Sequence, residues 1–173
     1  VTGVDGFTYA STTTETAADM MVDIVDEDNA FYFVACNDHT PAFVIALATD
    51  IEARTKQYWV SSQLQADLGV YSEVTTDLPS VLRQNAYFRT SYWFHHEADT
   101  KFPEMNYLAM FAPQDAGKYV IASNLVKGSG IDRSPLTNNY LSDTHKTNVV
   151  KKNASFTEDV GGLAITRRGT VSG

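Results

Sequence analysis

The chain has 173 residues and a mass of 19.1 kDa, with 13 basic against 21 acidic side chains, a net charge of −8 and a pI near 4.8. Hydrophobic residues at 43% and charged residues at 20% describe a globular chain, not a disordered tail. The acidic balance argues against a nucleic-acid coat, which needs a basic face, and no apolar run approaches the ~20 residues of a membrane span.

The single cysteine, Cys36, excludes an internal disulfide framework and, lying in an apolar run, reads as a small core residue. Val1 stands where a methionine would start a gene product, and no basic-then-apolar leader follows, so the chain reads as a processed or excised piece. Residues 1–11 are small and polar and read as a lead-in.

Thr12-x-x-Glu15 has capping-box spacing and predicts a helix start. Ala17, Met20, Met21, Ile24 and Val25 then fall on one helical stripe, and Asp26, Glu27 and Asp28 stop the helix at the wrong pole of its dipole. Ala30–Cys36 is a short aromatic and β-branched run, read as a strand covered on both faces. Thr40 and Pro41 start a second helix carrying Val44, Leu47, Ala48 and Ile51 to about Lys56. Gln57–Ser62 is the next strand, Asp77-Leu78-Pro79 the next helix start, and Arg89–His95 the third strand. A fourth helix is predicted from about Phe102 to Ala116, with Pro113 able to break it early. Tyr119–Leu125 reads as strand, Lys127–Pro135 as open loop, and Ser142 as the cap of a helix ending near Asn153. Ser155–Val160 and Leu163–Val171 flank Gly161-Gly162, a hairpin-turn signal.

Strands alternating with helices imply parallel neighbours joined by crossovers. The predicted fold class is therefore α/β: a three-layer sandwich with a mainly parallel sheet built from βαβ units, plus a C-terminal β-hairpin. Residues 1–11 form the lead-in, 12–126 the α/β core, and 127–173 a loop, helix and hairpin on that core.

The catalytic inventory is thin. The sequence has no phosphate-loop, dinucleotide or nucleophile-elbow motif, and Gly128-Ser129-Gly130 reads as a flexible connector. His95-His96-Glu97 is the one cluster with metal-capable side chains. Adjacent strand residues point to opposite faces, so the pair reads as one packed and one solvated histidine. Asp38-His39 lacks an obvious nucleophile, and Asp26-Glu27-Asp28 lacks the spaced ligands and glycine of a calcium loop. No catalytic, cofactor or metal residue is assigned, and no enzymatic activity is expected. Aromatic residues reach 12%, some of them, such as Phe31, Phe33 and Trp59, placed in core strands; a sugar-binding platform would need several on one exposed face, and protein contact surfaces also favour Tyr and Trp.

Three segments together resemble the sheath proteins of contractile bacteriophage tails. Glu15–Cys36, ETAADMMVDIVDEDNAFYFVAC, is similar to that family's helix, acidic turn and aromatic strand, with Asn29, Phe31 and Tyr32 in the matching places. Ile51–Lys56, IEARTK, before the strand YWVSS, is similar to the family's W-x-E-A-R-x-K helix end. Leu141–Gly173 resembles its K-N-x-N, G-G and spaced-glycine stretch through Asn153, Gly161, Gly162, Ile165, Gly169 and Gly173, departing at Ser155-Phe156, where Ser155 takes the second asparagine's place and the aromatic follows it directly instead of two places on.

The resemblance implies a middle domain of a longer sheath subunit. Such subunits self-associate in helical rings around the tail tube, respond to the baseplate, and contract to drive the tube through the host envelope. It implies a virion location after assembly in the host cytoplasm, and no cofactor. Lys151, Lys152, Arg167 and Arg168 then form a basic counterpart to the acidic surface of a neighbouring subunit, or, for the two arginines, a solvated hairpin edge. The competing readings are a small α/β enzyme or nucleotide-binding module, with polar groups converging near Asn37-Asp38-His39, Ser61-Ser62 and His95-His96, and a virion decoration or receptor-binding domain.

Overall fold

A computed structural model describes residues 15–114, 120–128, 130–168 and 172. Helix α1 (Ala17–Glu27) leads into strand β1 (Phe33–Ala35), helix α2 (Pro41–Glu52) into β2 (Gln57–Ser62), and α3 (Leu78–Gln84) into β3 (Thr90–Phe94). The short helix α4 (Ala98–Lys101), helix α5 (Pro103–Phe111), helix α6 (Asp143–Lys151) and the strands β4 (Phe156–Val160) and β5 (Leu163–Arg167) complete the order. The first three strands form a parallel sheet in the order β1-β2-β3, and β4-β5 is an antiparallel hairpin. The α/β architecture with a C-terminal hairpin is the one the strand–helix alternation predicts.

Alternation along the strands decides the layers. Tyr58, Val60, Tyr92 and Phe94 point to one face, where they pack with Met21 of α1, Val44, Leu47 and Ile51 of α2, Leu78 and Leu82 of α3, and Val149 of α6. Trp59 and Trp93 point to the other face and meet Tyr107 and Phe111 of α5. Trp93 stacks on Tyr107 with ring centroids 4.3 Å apart and leans on Trp59 at 5.0 Å. Each fully buried aromatic removes roughly 150–250 Å² from water, so this second layer is held chiefly by four rings. Leu141, Val149 and Phe156 share the first cluster with the sheet, so the loop, helix and hairpin after residue 126 rest on the same core.

Several local readings are corrected. The cap of α1 is Thr16, whose side chain accepts from the Asp19 amide; Thr12 and the lead-in lie outside the described residues. α2 stops at Glu52, short of Lys56. The helix predicted from Phe102 to Ala116 is α5, which starts at Pro103 and ends at Phe111, while Ala116 lies outside the described residues; the unpredicted α4 precedes it and is parted from it at Phe102 with φ 44°. Pro103 disfavours the right-handed helical region for the residue before it, which gives the break a cause in the sequence. The strand predicted over Tyr119–Leu125 is reduced to bridging: Tyr119 lies outside the described residues, while Ser123, Asn124 and Val126 exchange backbone hydrogen bonds with β5. Ser155 lies alongside β3, taking the Phe94 amide on its carbonyl at 2.8 Å and giving its own amide to Tyr92 O at 2.9 Å. Ser172 adds an amide bond to Thr90 O at 2.7 Å.

Candidate functional site at the carboxyl ends of the strands

In a parallel sheet the carboxyl ends of the strands share one rim, where α/β proteins place their reactive groups. Three polar clusters occupy that rim.

The first is built on His39, just after β1. Its Nδ1 lies 2.8 Å from Asp99 Oδ1 of α4 and its Nε2 lies 3.0 Å from Glu104 Oε1 of α5. Glu104 is wholly buried, and its second oxygen accepts from the Ser61 hydroxyl at the end of β2. Gln63 Nε2 donates to the other oxygen of Asp99 at 2.8 Å. Burial, the largest single influence, pulls the His39 pKa down, but hydrogen bonds to Glu104 and Asp99 together with their charges outweigh it and leave the imidazole above its ordinary value. Beside it opens a cleft of about 370 Å³ lined by Asn37, Asp38, His39, Ser62, Gln63 and Asp99, among others. Asp38 turns back to accept from the Thr40 amide at 2.8 Å, so it caps the turn before α2; that bond, with a side-chain bond to Thr40 as its largest cause, holds its carboxyl below the usual range.

The second cluster is centred on Asp67, in the 3-10 turn Gln65–Leu68 after β2. Its Oδ2 accepts from Ser62 Oγ and from Tyr92 Oη, each at 2.6 Å. Burial, the largest influence, pushes the Asp67 carboxyl up despite those two donors. Lys152, fully buried at the end of α6, donates to Asp67 O at 2.9 Å and to Asp77 Oδ1 at 2.8 Å. Asp77 is also the N-cap of α3 and accepts from the Ser80 amide. One ammonium therefore joins α6, the 3-10 turn and α3.

The third cluster follows β3. His95 and His96 stand with ring centroids 4.9 Å apart, and His95 Nε2 lies 3.8 Å from Asp132 Oδ1. His95 Nδ1 accepts from the Glu97 amide at 3.1 Å. Burial drives the Asp132 carboxyl well above its ordinary value, although the Thr157 amide donates to Oδ2 at 2.6 Å. Burial likewise lowers the His96 imidazole.

Other sequence candidates take framework roles. His95 is buried and only 13% of the His96 side chain is exposed, so the reading of one packed and one solvated histidine fails. The reason is that β3 ends at Phe94, and beyond it strand alternation no longer separates the two rings. Gly130 is not a free connector, because its carbonyl accepts from Thr157 Oγ1 at 3.1 Å; Ser129 lies outside the described residues. Of the four-residue basic group, Lys151 and Arg167 are exposed, while Lys152 and Arg168 turn to partners within the chain. Lys152 is buried in the second cluster, Arg167 pairs with Glu158 at 2.9 Å, and Arg168 donates to Val150 O and, at 2.7 Å, to Asn153 Oδ1. Cys36 is half-buried, and Asp28 accepts from the Ala30 amide at 2.7 Å.

Asp67, Asp99, Glu104, Asp132 and Lys152 carry the clusters; sequence reading passed over the four acids and placed Lys152 in a surface basic group. Glu104 beside Pro103 reads as a routine acidic helix start, and Asp67 and Asp132 lie in loops where acids are common. No family model matches the chain, and neither a curated protein nor a solved structure matches it. No described helix is long and apolar enough to cross a membrane.

Proposed function

We propose that this chain is a structural domain of a contractile phage tail sheath, associating with further sheath subunits around a tail tube and transmitting the baseplate's trigger as rigid-body movement. The observation that carries the reading is where the resembling residues sit. Lys56, closing IEARTK, sends its ammonium to Asn29 O at 2.8 Å and to Phe31 O, and lies 4.0 Å over the Phe31 ring. The first two resembling segments are thus one joint. In the third, Asn153 takes φ 58° at the end of α6 and its carboxamide oxygen receives Arg168, while Gly161 and Gly162 make the hairpin turn at φ 64° and 85°. These positions shape the framework, which is what a mechanical part needs.

The rim clusters support the same reading. Both ring nitrogens of His39 face carboxylates, and Ser61 and Ser62 each donate to a buried acid, so these groups act as struts between helices and sheet. A contracting sheath requires blocks that keep their internal contacts while the interfaces between them change. The test is negative-stain microscopy of the full-length gene product, expressed alone and with the product of the reading frame downstream of it. Tubes or stacked rings are expected. A full-length product that sediments as a monomer under every assembly condition would sink the proposal.

A further inference from the structure

Three ligand-type side chains converge where β3 runs out: His95 and His96 from the strand's end and Asp132 from the loop that precedes α6. One donor atom from each lies within 4.8 Å of the others. The Asp132 side chain is 1% exposed, and only its Oδ2 is engaged, by the Thr157 amide. Asp132 Oδ1 and His96 Nδ1 are buried polar atoms without a hydrogen-bond partner. Orphaned buried atoms are uncommon and costly, and two in one small cluster need a physical reason.

We propose that His95, His96 and Asp132 bind one divalent transition-metal ion of the zinc class, through the two imidazoles and Asp132 Oδ1, with water completing the shell. The tautomer of His96 fits. Its Nε2 faces Glu97 Oε2 at 3.5 Å, so the ring proton belongs there and the lone pair is left on Nδ1. A carboxylate behind a ligating histidine is the usual orienting partner at such sites, and Thr157 orients Asp132 in the same way.

Metal bonds of about 2.0–2.1 Å place neighbouring donors about 3–3.5 Å apart. The His95 Nε2 to Asp132 Oδ1 separation of 3.8 Å therefore needs only a small closure. His95 also shifts its proton: coordination at Nε2 moves it to Nδ1, and the Glu97 amide gives up its bond to that nitrogen. Two imidazoles with one carboxylate suit zinc, cobalt, nickel or ferrous iron, whereas calcium and magnesium favour all-oxygen shells. A cleft of about 160 Å³ whose lining includes Asp132, Thr157, Glu158 and Asp159 adjoins the carboxylate corner of the site. The bound ion would tie the end of β3 to the loop before α6, which the Asp132–Thr157 bond already joins to β4.

The test uses the whole chain, stripped with a chelator and titrated with zinc alone. Calorimetry is expected to show one equivalent, with a melting temperature that rises as zinc is added. X-ray absorption of the wild-type zinc form is expected to show two imidazoles and oxygen donors. His96→Ala and Asp132→Asn should each weaken binding by at least about tenfold, while His145→Ala on α6 leaves it unchanged. The absorption spectrum needs no variant, so it stands even if a substitution unfolds the chain. Absence of saturable binding, a shell without two imidazoles, or undiminished affinity in both variants would overturn the assignment.

Discussion

Removing Glu104 should expose how much of the molecule hangs on one buried ion pair. Its carboxylate is fully enclosed, 3.0 Å from His39 Nε2, and also receives the Ser61 hydroxyl. At an effective dielectric near 20, two unit charges at that 3.0 Å separation attract by about 5–6 kcal/mol before any desolvation is charged against them. Truncating one member of such a pair leaves the other uncompensated and typically costs about 3–5 kcal/mol, a large share of the ~5–15 kcal/mol that holds a domain together. Glu104→Ala is therefore expected to lose about 3–5 kcal/mol in urea denaturation. The isosteric Glu104→Gln keeps one acceptor and should lose about 1–3 kcal/mol. Paired with His39→Ala in a double-mutant cycle, the coupling should exceed about 1 kcal/mol. The pH dependence supplies a second check. The folded His39 pKa is raised above its unfolded value of about 6.5, so its contribution is complete below that value and is lost as the pH rises through the higher folded one. Asp67 and Asp132 are raised as well, so the quantity to follow is the wild-type profile minus that of His39→Ala. Additive single-variant losses, within about 0.5 kcal/mol, or a flat difference profile, would refute the ion-pair account.

Three further outcomes follow from the same structure. Lys152→Met should destabilise by about 3–5 kcal/mol in chemical denaturation, because Asp77 and the Asp67 carbonyl lose a buried cation. Trp93→Ala should cost about 3–5 kcal/mol and weaken the near-ultraviolet dichroism, since it strips Tyr107 of its stacking partner and Trp59 of its neighbour. Gly162→Ala, at φ 85° with open space around the added Cβ, should cost only about 1–2 kcal/mol, a strain of backbone alone, read as a small fall in melting temperature.

What the residues disclosed in advance depended on how local the signal was. Asp77-Leu78-Pro79 gave the start of α3, Thr40-Pro41 that of α2, Ser142 that of α6, and Gly161-Gly162 the hairpin, because caps and turns are written in three or four consecutive positions. The parallel sheet was equally legible from strand–helix alternation. The rim clusters were not. His39 meets Asp99 and Glu104 across 60 and 65 residues, and Lys152 reaches Asp77 across 75, distances over which one sequence carries no pairing signal. Lys152 illustrates the error. Beside Lys151 it reads as a solvated charge, yet residue 152 follows the last turn of α6 and turns inward to the Asp67 carbonyl, next to the Leu68 carbonyl that Asn148 Nδ2 binds at 3.0 Å.

The left-handed turn at Phe102 has an effect on residues it does not resemble. Asp99 and Glu104 are five positions apart, which on an unbroken helix would set them about 140° around the axis from one another. One imidazole could then face either carboxylate but hardly both. By refusing its predecessor a helical conformation, Pro103 resets the azimuth between the two acids and lets them close on His39 from opposite sides. A ring that donates no hydrogen bond thus decides the geometry of a charged triad.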